Sequence, residues 1–426
     1  MRPPSTASPE TEPPPVRGAA ATGPRDALAA GDARLAPFRS RAGWQFGLLG
    51  PLLVVILTGG IMLAGWTAIA RDGVPVLEVD FRVFWAAARL ALEGAPGDAF
   101  EAARLSEIHG ITGDYMPWLY PPALLAAMLP FGALDFAPAW ALFGLVSLAA
   151  ALAAFRPLCA GIVPLWLGIS IAPAFLPALI LGQVGVLWLA GLVGALAALA
   201  RGRAALAGIL IGLLTFKPQL GLLIPVALIA GGHWRTVVWA TGTALAVAIL
   251  PTLWTGVSYW PSLAEAVSLH AGIVEANIAE RPHMVGIYAT LAQFGVAPGL
   301  ALRLHWAAAL ALALFVALVW RSRALGPDLK AAALLAAIPL ATPYLWHAEA
   351  GFAVGAALFL LRAGAIGTGP GGLALFGALW LVPGLAFMAE FLGGGELLPL
   401  GLILTALFAI AFGAAAHAVL RPPAPP

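Results

Sequence analysis

Cysteine occurs once in 426 residues, at Cys159, which excludes an internal disulfide and any metal site built on paired thiolates. That residue reads as a small membrane-embedded hydrophobe. Charge is also scarce. Only 10% of residues are charged, against about 25% in an ordinary soluble chain, so a soluble globular domain is excluded. No basic face or aromatic-basic repeat is present, and a nucleic-acid partner is therefore not expected. The sequence has no Gly-rich nucleotide-binding loop and no repeat of fixed period, so a duplicated transporter fold gains no support. Histidine and acidic residues never reach a metal spacing: His347 and Glu349 have no third ligand at a recognisable distance. No metal and no cofactor is expected.

What is abundant is apolar sequence, at 61% of the chain. Runs long enough to cross a hydrocarbon core of about 30 Å recur from Gln45 to Leu420. They predict an all-α integral membrane protein of a bacterial-type inner membrane, with roughly ten to thirteen passes. The expected spans are 45–69, 119–134, 138–155, 160–180, 184–200, 204–230, 236–254, 298–320, 330–346, 349–361, 370–389 and 397–420, within a membrane domain of residues 44–421. Residues 1–43 hold eight prolines and no apolar period, the composition of a disordered tail. Their six arginines place that tail in the cytoplasm by the positive-inside rule.

Two long polar segments then fall on the periplasmic side. The first, 71–118, carries eight acidic residues against four arginines. Within it Phe81, Phe84, Trp85, Ala88 and Leu92 recur at helical spacing, which predicts an amphipathic helix over 80–92 lying on the membrane surface with its apolar face down. The second is 256–296. In the C-terminal half Arg235, Arg321, Arg323, Arg362 and Arg421 gather on one side of the membrane, as the charge rule demands. The middle is less orderly. One pass per run puts Arg201 and Arg203 outside, unless 160–180 or 204–230 is a pair of short helices, with breaks at Pro173 and Pro177 or at Lys217-Pro218.

A charge within or beside a span costs at least about 2.5 kcal/mol on insertion scales, so each one needs a reason. Those singled out are Asp80, Asp135, Lys217, Arg281, His283, His347 and Glu349. Asp80 opens the amphipathic helix, either as its N-cap or as a carboxylate held at the surface to act as general base. Glu78 and Asp114 are the next acidic candidates nearby. Tyr120, in Pro117-Trp118-Leu119-Tyr120-Pro121-Pro122, belongs to a rigid aromatic stretch before the second span, which also reads as an interfacial anchor. Gln183 interrupts an apolar stretch, and its amide needs an interhelical partner or a ligand. Lys217 sits amid more than twenty apolar residues; it either snorkels to an interface or pairs with a phosphate. Arg281-Pro282-His283 fixes the spacing of two potential phosphate ligands. His347 and Glu349 follow Ala341-Thr342-Pro343-Tyr344 in a turn between spans.

In this order the motifs resemble the polyprenol-phosphate-dependent glycosyltransferases of the multi-span C superfamily, most closely glycosyltransferase family 87 with its alpha-mannosyltransferase members. The resemblance runs over 45–362, through Asp80-Phe81 with Val83-Phe84-Trp85-Ala86-Ala87, Trp118 with Tyr120-Pro121-Pro122, Gly182-Gln183, Ala207-Gly208 leading to Lys217-Pro218-Gln219, and Ala341-Thr342-Pro343-Tyr344. It implies a C-type multi-span fold, a polyprenyl-phosphate sugar donor, a glycolipid or glycan acceptor, and a periplasmic active site with an acidic base in the first large loop. Asp80 matches that position. Relatives often carry aspartates after the Thr-Pro-Tyr segment, where this chain has His347 and Glu349. The implied roles are general base for Asp80, donor-phosphate ligands for Lys217, Arg281 and His283, and acceptor or cavity contacts for Tyr120, Gln183, Tyr344, His347 and Glu349. The competing reading is a polytopic transporter or lipid flippase without chemistry.

Overall fold

The computed structural model describes residues 24–72, 79–110, 116–393 and 399–420. In chain order, α1 (Pro24–Arg34) and α2 (Arg41–Asp72) precede three helices grouped at one end of the bundle, α3 (Phe81–Leu92), α4 (Ala102–His109) and α5 (Pro122–Gly132). Next come α6 (Phe136–Phe155), α7 (Val163–Ser170), α8 (Leu176–Leu181), α9 (Gly185–Ala200), α10 (Ala204–Leu213), α11 (Leu223–Ala230) and α12 (Trp234–Thr255). The remainder is α13 (Tyr259–Ala276), β1 (Met284–Val285), α14 (Ile287–Gln293), α15 (Pro298–Arg321), α16 (Pro327–Ala341), β2 (Leu345–Trp346), α17 (Phe352–Ala363), α18 (Pro370–Gly393) and α19 (Leu400–Leu420). Among the described residues, seven helical stretches are long and apolar enough to cross a membrane. In lipid, only such internally hydrogen-bonded backbone is tolerated. The protein is an all-α multi-span membrane protein, as its composition predicts.

Hereafter the upper face of the helical layer is the one carrying Asp80, and the lower face the one carrying Arg362. Two features settle the middle of the chain. First, the expected span 119–134 is not a pass. Helix α5 is only eleven residues long, and both of its ends meet α3: Tyr120 stacks edge-on against Phe84, while the Trp85 indole donates to the Leu134 carbonyl at 2.9 Å. Second, the expected span 204–230 is a pair of short helices, α10 and α11, joined through 3-10 turns at Leu214–Phe216 and Pro218–Gly221. With one pass removed and one added, Arg201 falls on the lower face beside Arg362. Its guanidinium bonds to the Pro157 carbonyl while Arg362 bonds to that of Leu158. The charge rule is thereby restored.

Two further expectations change. Residues 24–43, read from composition as disordered tail, are largely helical, with α1, a 3-10 turn at Ala36–Arg39 and the start of α2. Burial explains it: Leu35 and Phe38 are in the core, and Asp32 and Arg34 bond to Arg362. Residues 1–23 lie outside the described residues. Helix α3 forms as expected, but its apolar face is covered by protein rather than by lipid. Phe81 and Phe84 are fully buried in an aromatic cluster with Phe131, Phe143 and Trp118. Trp118 is likewise not an interfacial anchor; its indole is buried and donates to Tyr259 Oη at 2.6 Å.

A two-residue antiparallel pair, Met284 opposite Trp346 and Val285 opposite Leu345, ties the segment after α13 to the turn after α16. Helix α19 seals this pair from the side, where the Gly401 amide donates to the Pro282 carbonyl at 2.7 Å.

Candidate active site

Three chain breaks converge at the upper face. The first is the join between α8 and α9. Gly182 has φ +67°, the left-handed conformation that ends a helix, and a Cβ there would lie 2.4 Å from Phe81 Cβ. A few residues on, a Cβ at Gly185 would lie 2.6 Å from the Ala348 carbonyl oxygen. The chain therefore reverses while pressed between the start of α3 and the 3-10 turn His347–Glu349. The second break is Lys217-Pro218. Proline holds the preceding residue out of the helical region, and Lys217 stands at φ −136°, ψ 72°. The carbonyl of Leu214, which Pro218 cannot bond, accepts from the Lys217 amide at 3.1 Å and from the Trp188 indole at 3.0 Å. The third is the turn between α16 and α17.

These breaks assemble five polar side chains. Gln183 Nε2 donates to Asp80 Oδ2 at 2.7 Å, and Tyr120 Oη donates to Gln183 Oε1 at 3.4 Å. The two bonds fix the amide's orientation. Lys217 Nζ is ion-paired with Glu349 Oε1, both buried, and its charge is felt by Asp80 and Tyr120. Asp80, Tyr120 and Gln183 are partly accessible, with the Lys217–Glu349 pair behind them. Lys217 thus does not snorkel; its ammonium meets a carboxylate contributed by another helix-helix turn. Asp80 stands at the N-cap position of α3, but its side chain makes no capping bond there. Burial pushes its carboxyl above the ordinary value, opposed by the Gln183 hydrogen bond and the Lys217 charge.

A second group adjoins the first across the turn 347–349. His283 and His347 lie with ring centroids 5.4 Å apart, and His347 stacks on Phe387. His283 Nε2 comes within 2.6 Å of Glu390 Oε1. Burial lowers both imidazoles below their ordinary value, His347 to about 3, so both are neutral at pH 7. Arg281 lies over the Trp346 ring, and Tyr344 packs edge-on against Tyr288. Of the three cationic candidates, Lys217 alone joins Asp80; the β1–β2 pair keeps Arg281 and His283 with His347. Asp135 is exposed and joins neither group, and Glu78 and Asp114 lie outside the described residues.

Sequence reasoning missed Glu390 as a partner for His283. The available signal was an acidic residue at the edge of the expected span 370–389. It also missed Tyr259, whose hydroxyl accepts from Trp118 and donates to the Tyr120 carbonyl at 3.1 Å, bracing the Tyr120 segment.

A bundle of apolar helices with a carboxylate, an amide and a buried ion pair gathered at one face defines a polytopic membrane protein with a polar site at the edge of the helical layer. The sequence model of glycosyltransferase family 87 matches residues 118–343, more than half of the chain. The chain belongs to that family and is a membrane glycosyltransferase. Comparison with curated proteins gives no match, and none of the solved structures matches.

Proposed function

We propose that the protein transfers a hexose, mannose-like, from a polyprenyl-phosphate donor to a glycolipid or glycan acceptor at the periplasmic face of a bacterial inner membrane, with Asp80 as general base. The observation that carries this is the juxtaposition of a partly accessible carboxylate with a buried ammonium at one edge of the helical layer. Base and phosphate ligand are the two groups a single displacement requires. The acceptor oxygen forms a bond to the anomeric carbon as its proton passes to Asp80. The bond from that carbon to phosphate breaks, and Lys217 offsets the charge gathering on the leaving phosphate. Gln183 and Tyr120 hold the carboxylate in place, and Glu349 orients Lys217. Arg281, His283, His347 and Tyr344, in the adjoining group, have secondary contacts with donor or acceptor. The family match begins at Trp118, so the role of Asp80 rests on its geometry and on its place in the first loop. The direct test is transfer of labelled hexose to membrane acceptors from a polyprenyl-phosphate sugar against a nucleotide sugar. Use of the nucleotide sugar alone would overturn the donor assignment.

Lys217→Met should weaken donor binding on the order of tenfold to a hundredfold, the worth of one hydrogen bond to a charged group. Lys217→Arg should do far less. Because Met would strand the buried Glu349, the measurement pairs it with Glu349→Gln. Unchanged donor affinity in the paired variant would remove Lys217 from the site.

The pH dependence follows from Asp80. Only the ionised carboxylate accepts the proton, and its pKa is raised, so kcat/KM should fall as pH drops through a value above the ordinary carboxylate range of about 3.9. The Gln183 hydrogen bond lowers that pKa, so Gln183→Leu should move the acid limb to higher pH. An unmoved or acid-shifted limb would contradict the assignment.

For topology, a cysteine replacing the exposed Glu101 should react with a membrane-impermeant thiol reagent applied from outside, whereas one replacing Arg203 should not. The native Cys159 is buried and gives little background. The reverse pattern would put the site in the cytoplasm.

A further inference from the structure

At the lower face, opposite Asp80, two adjoining cavities open around the end of α15. One, of about 470 Å³, is lined by Gly231, Gly232, Arg321, Arg323 and Lys330 among others. The other, of about 370 Å³, shares Trp320, Arg323 and Lys330 with it and continues inward between Leu196, Leu199 and Phe359. They are separated from the Asp80 group by the length of α16, fifteen residues or about 22 Å of helix. The frame is braced by polar and ring contacts. The Trp320 indole donates to the Lys330 carbonyl at 3.1 Å, and His233 packs edge-on against Trp320.

Three cations line the two cavities, and one acid, Asp328, lines the inner one. Among the described residues no ion pair involves Arg321, Arg323 or Lys330. The nearby acid, Asp328, is already taken by Arg362. Burial lowers the His233 imidazole below its ordinary value, so it adds no cation at neutral pH. Directly above Arg321, Leu310, Leu314 and Leu318 recur every fourth residue on one side of α15 and are 62%, 59% and 70% exposed. On α11, Ile229 is exposed as well. An apolar stripe in lipid that ends on three unpaired cations at the membrane boundary is complementary to one kind of molecule.

We infer that this is a binding site for an anionic phospholipid, its phosphate held by Arg321, Arg323 and Lys330 and an acyl chain laid along Leu318, Leu314 and Leu310. A soluble anion would use the cations but would leave the leucine stripe and the apolar inner wall without a role. Phosphate oxygens accept from guanidinium and ammonium donors, and attraction to an anionic leaflet adds to them. The site is independent of the transfer chemistry at the upper face.

The test uses the full chain purified in a neutral detergent, with melting temperature followed against added lipid to give an apparent Kd. Phosphatidylglycerol should raise the melting temperature where phosphatidylcholine does not. The variant Arg321→Gln/Arg323→Gln/Lys330→Gln should weaken phosphatidylglycerol binding on the order of 10²-fold, the combined effect of three interfacial cations. Arg41→Gln/Arg156→Gln, removing cations of the lower face outside the cavities, should leave it unchanged and so controls for general surface charge. Glycerol phosphate separates the sources: an equal response to it would mean a free-phosphate site and overturn the lipid assignment. An equal response to both lipids, or full retention of phosphatidylglycerol by the triple variant, would overturn it too. Should the triple variant not fold, native mass spectrometry of Lys330→Gln decides in its place. Fewer retained phosphatidylglycerol molecules than wild type supports the site, and the same number refutes it.

Discussion

Asp80→Asn should abolish most transfer while leaving the protein folded and able to bind donor. The carboxylate makes no capping bond to α3, so the helix start does not depend on its charge. Asparagine keeps the size, and its carbonyl oxygen can still accept from Gln183 Nε2, which now stands 2.7 Å from Asp80 Oδ2. What disappears is the proton acceptor. General-base catalysis contributes on the order of 10² to 10⁴ in rate, and a loss of that size in single-turnover transfer is expected. Donor affinity, measured in parallel, should stay close to wild type. Near-normal transfer by a folded Asp80→Asn protein would exclude Asp80 as the base and turn attention to Glu78 or Asp114.

The largest effect on stability is expected at Arg362, far from the chemistry. Its side chain is fully buried at the lower face. It donates through Nε to Asp328 Oδ1 at 3.1 Å, and through one terminal nitrogen to Asp32 Oδ1 and to the Leu158 carbonyl, both at 2.6 Å. Its own carbonyl accepts from Arg34 at 2.7 Å. One residue thus joins α1, the turn after α6, α16 and α17. Arg362→Met would leave the buried Asp328 without its cation, and breaking a buried pair from one side costs about 3–5 kcal/mol. Denaturation in mixed micelles should show a loss of that order. Replacing Asp328 by Leu in the same protein should recover much of it, since an apolar pair in place of an ion pair is close to neutral. A single variant as stable as wild type would mean that the network holds nothing together.

Asp80 was visible in the sequence as a charge that an apolar chain must justify, and Arg362 only as one of the arginines gathered on one side of the membrane; neither was legible as a member of its group. Lys217 announced itself in the same way, with a proline marking the helix break. Its partner did not. Glu349 lies 132 positions away, and no local pattern links the two. The disordered reading of residues 24–43 failed for a related reason: composition reports what a segment can do alone, whereas Asp32 and Arg34 are ordered by bonds to Arg362. The span count failed at α5 because an apolar helix packed on α3 has the same composition as one packed in lipid.

By itself the sequence determined the class of protein, the positions of most helices and the short set of charges worth explaining. Those follow from local quantities, namely hydropathy over a membrane's thickness, proline breaks and the cost of a charge in hydrocarbon. Only the tertiary structure decided which runs cross the layer, that Lys217 faces Glu349 beside Asp80, that His283 turns to Glu390, and that Arg321, Arg323 and Lys330 stand unpaired below a stripe of exposed leucines. The physical reason is that a polar group buried among helices takes its partner from whatever chain is packed against it. That choice is made by the fold and leaves no mark at either residue's own place in the sequence.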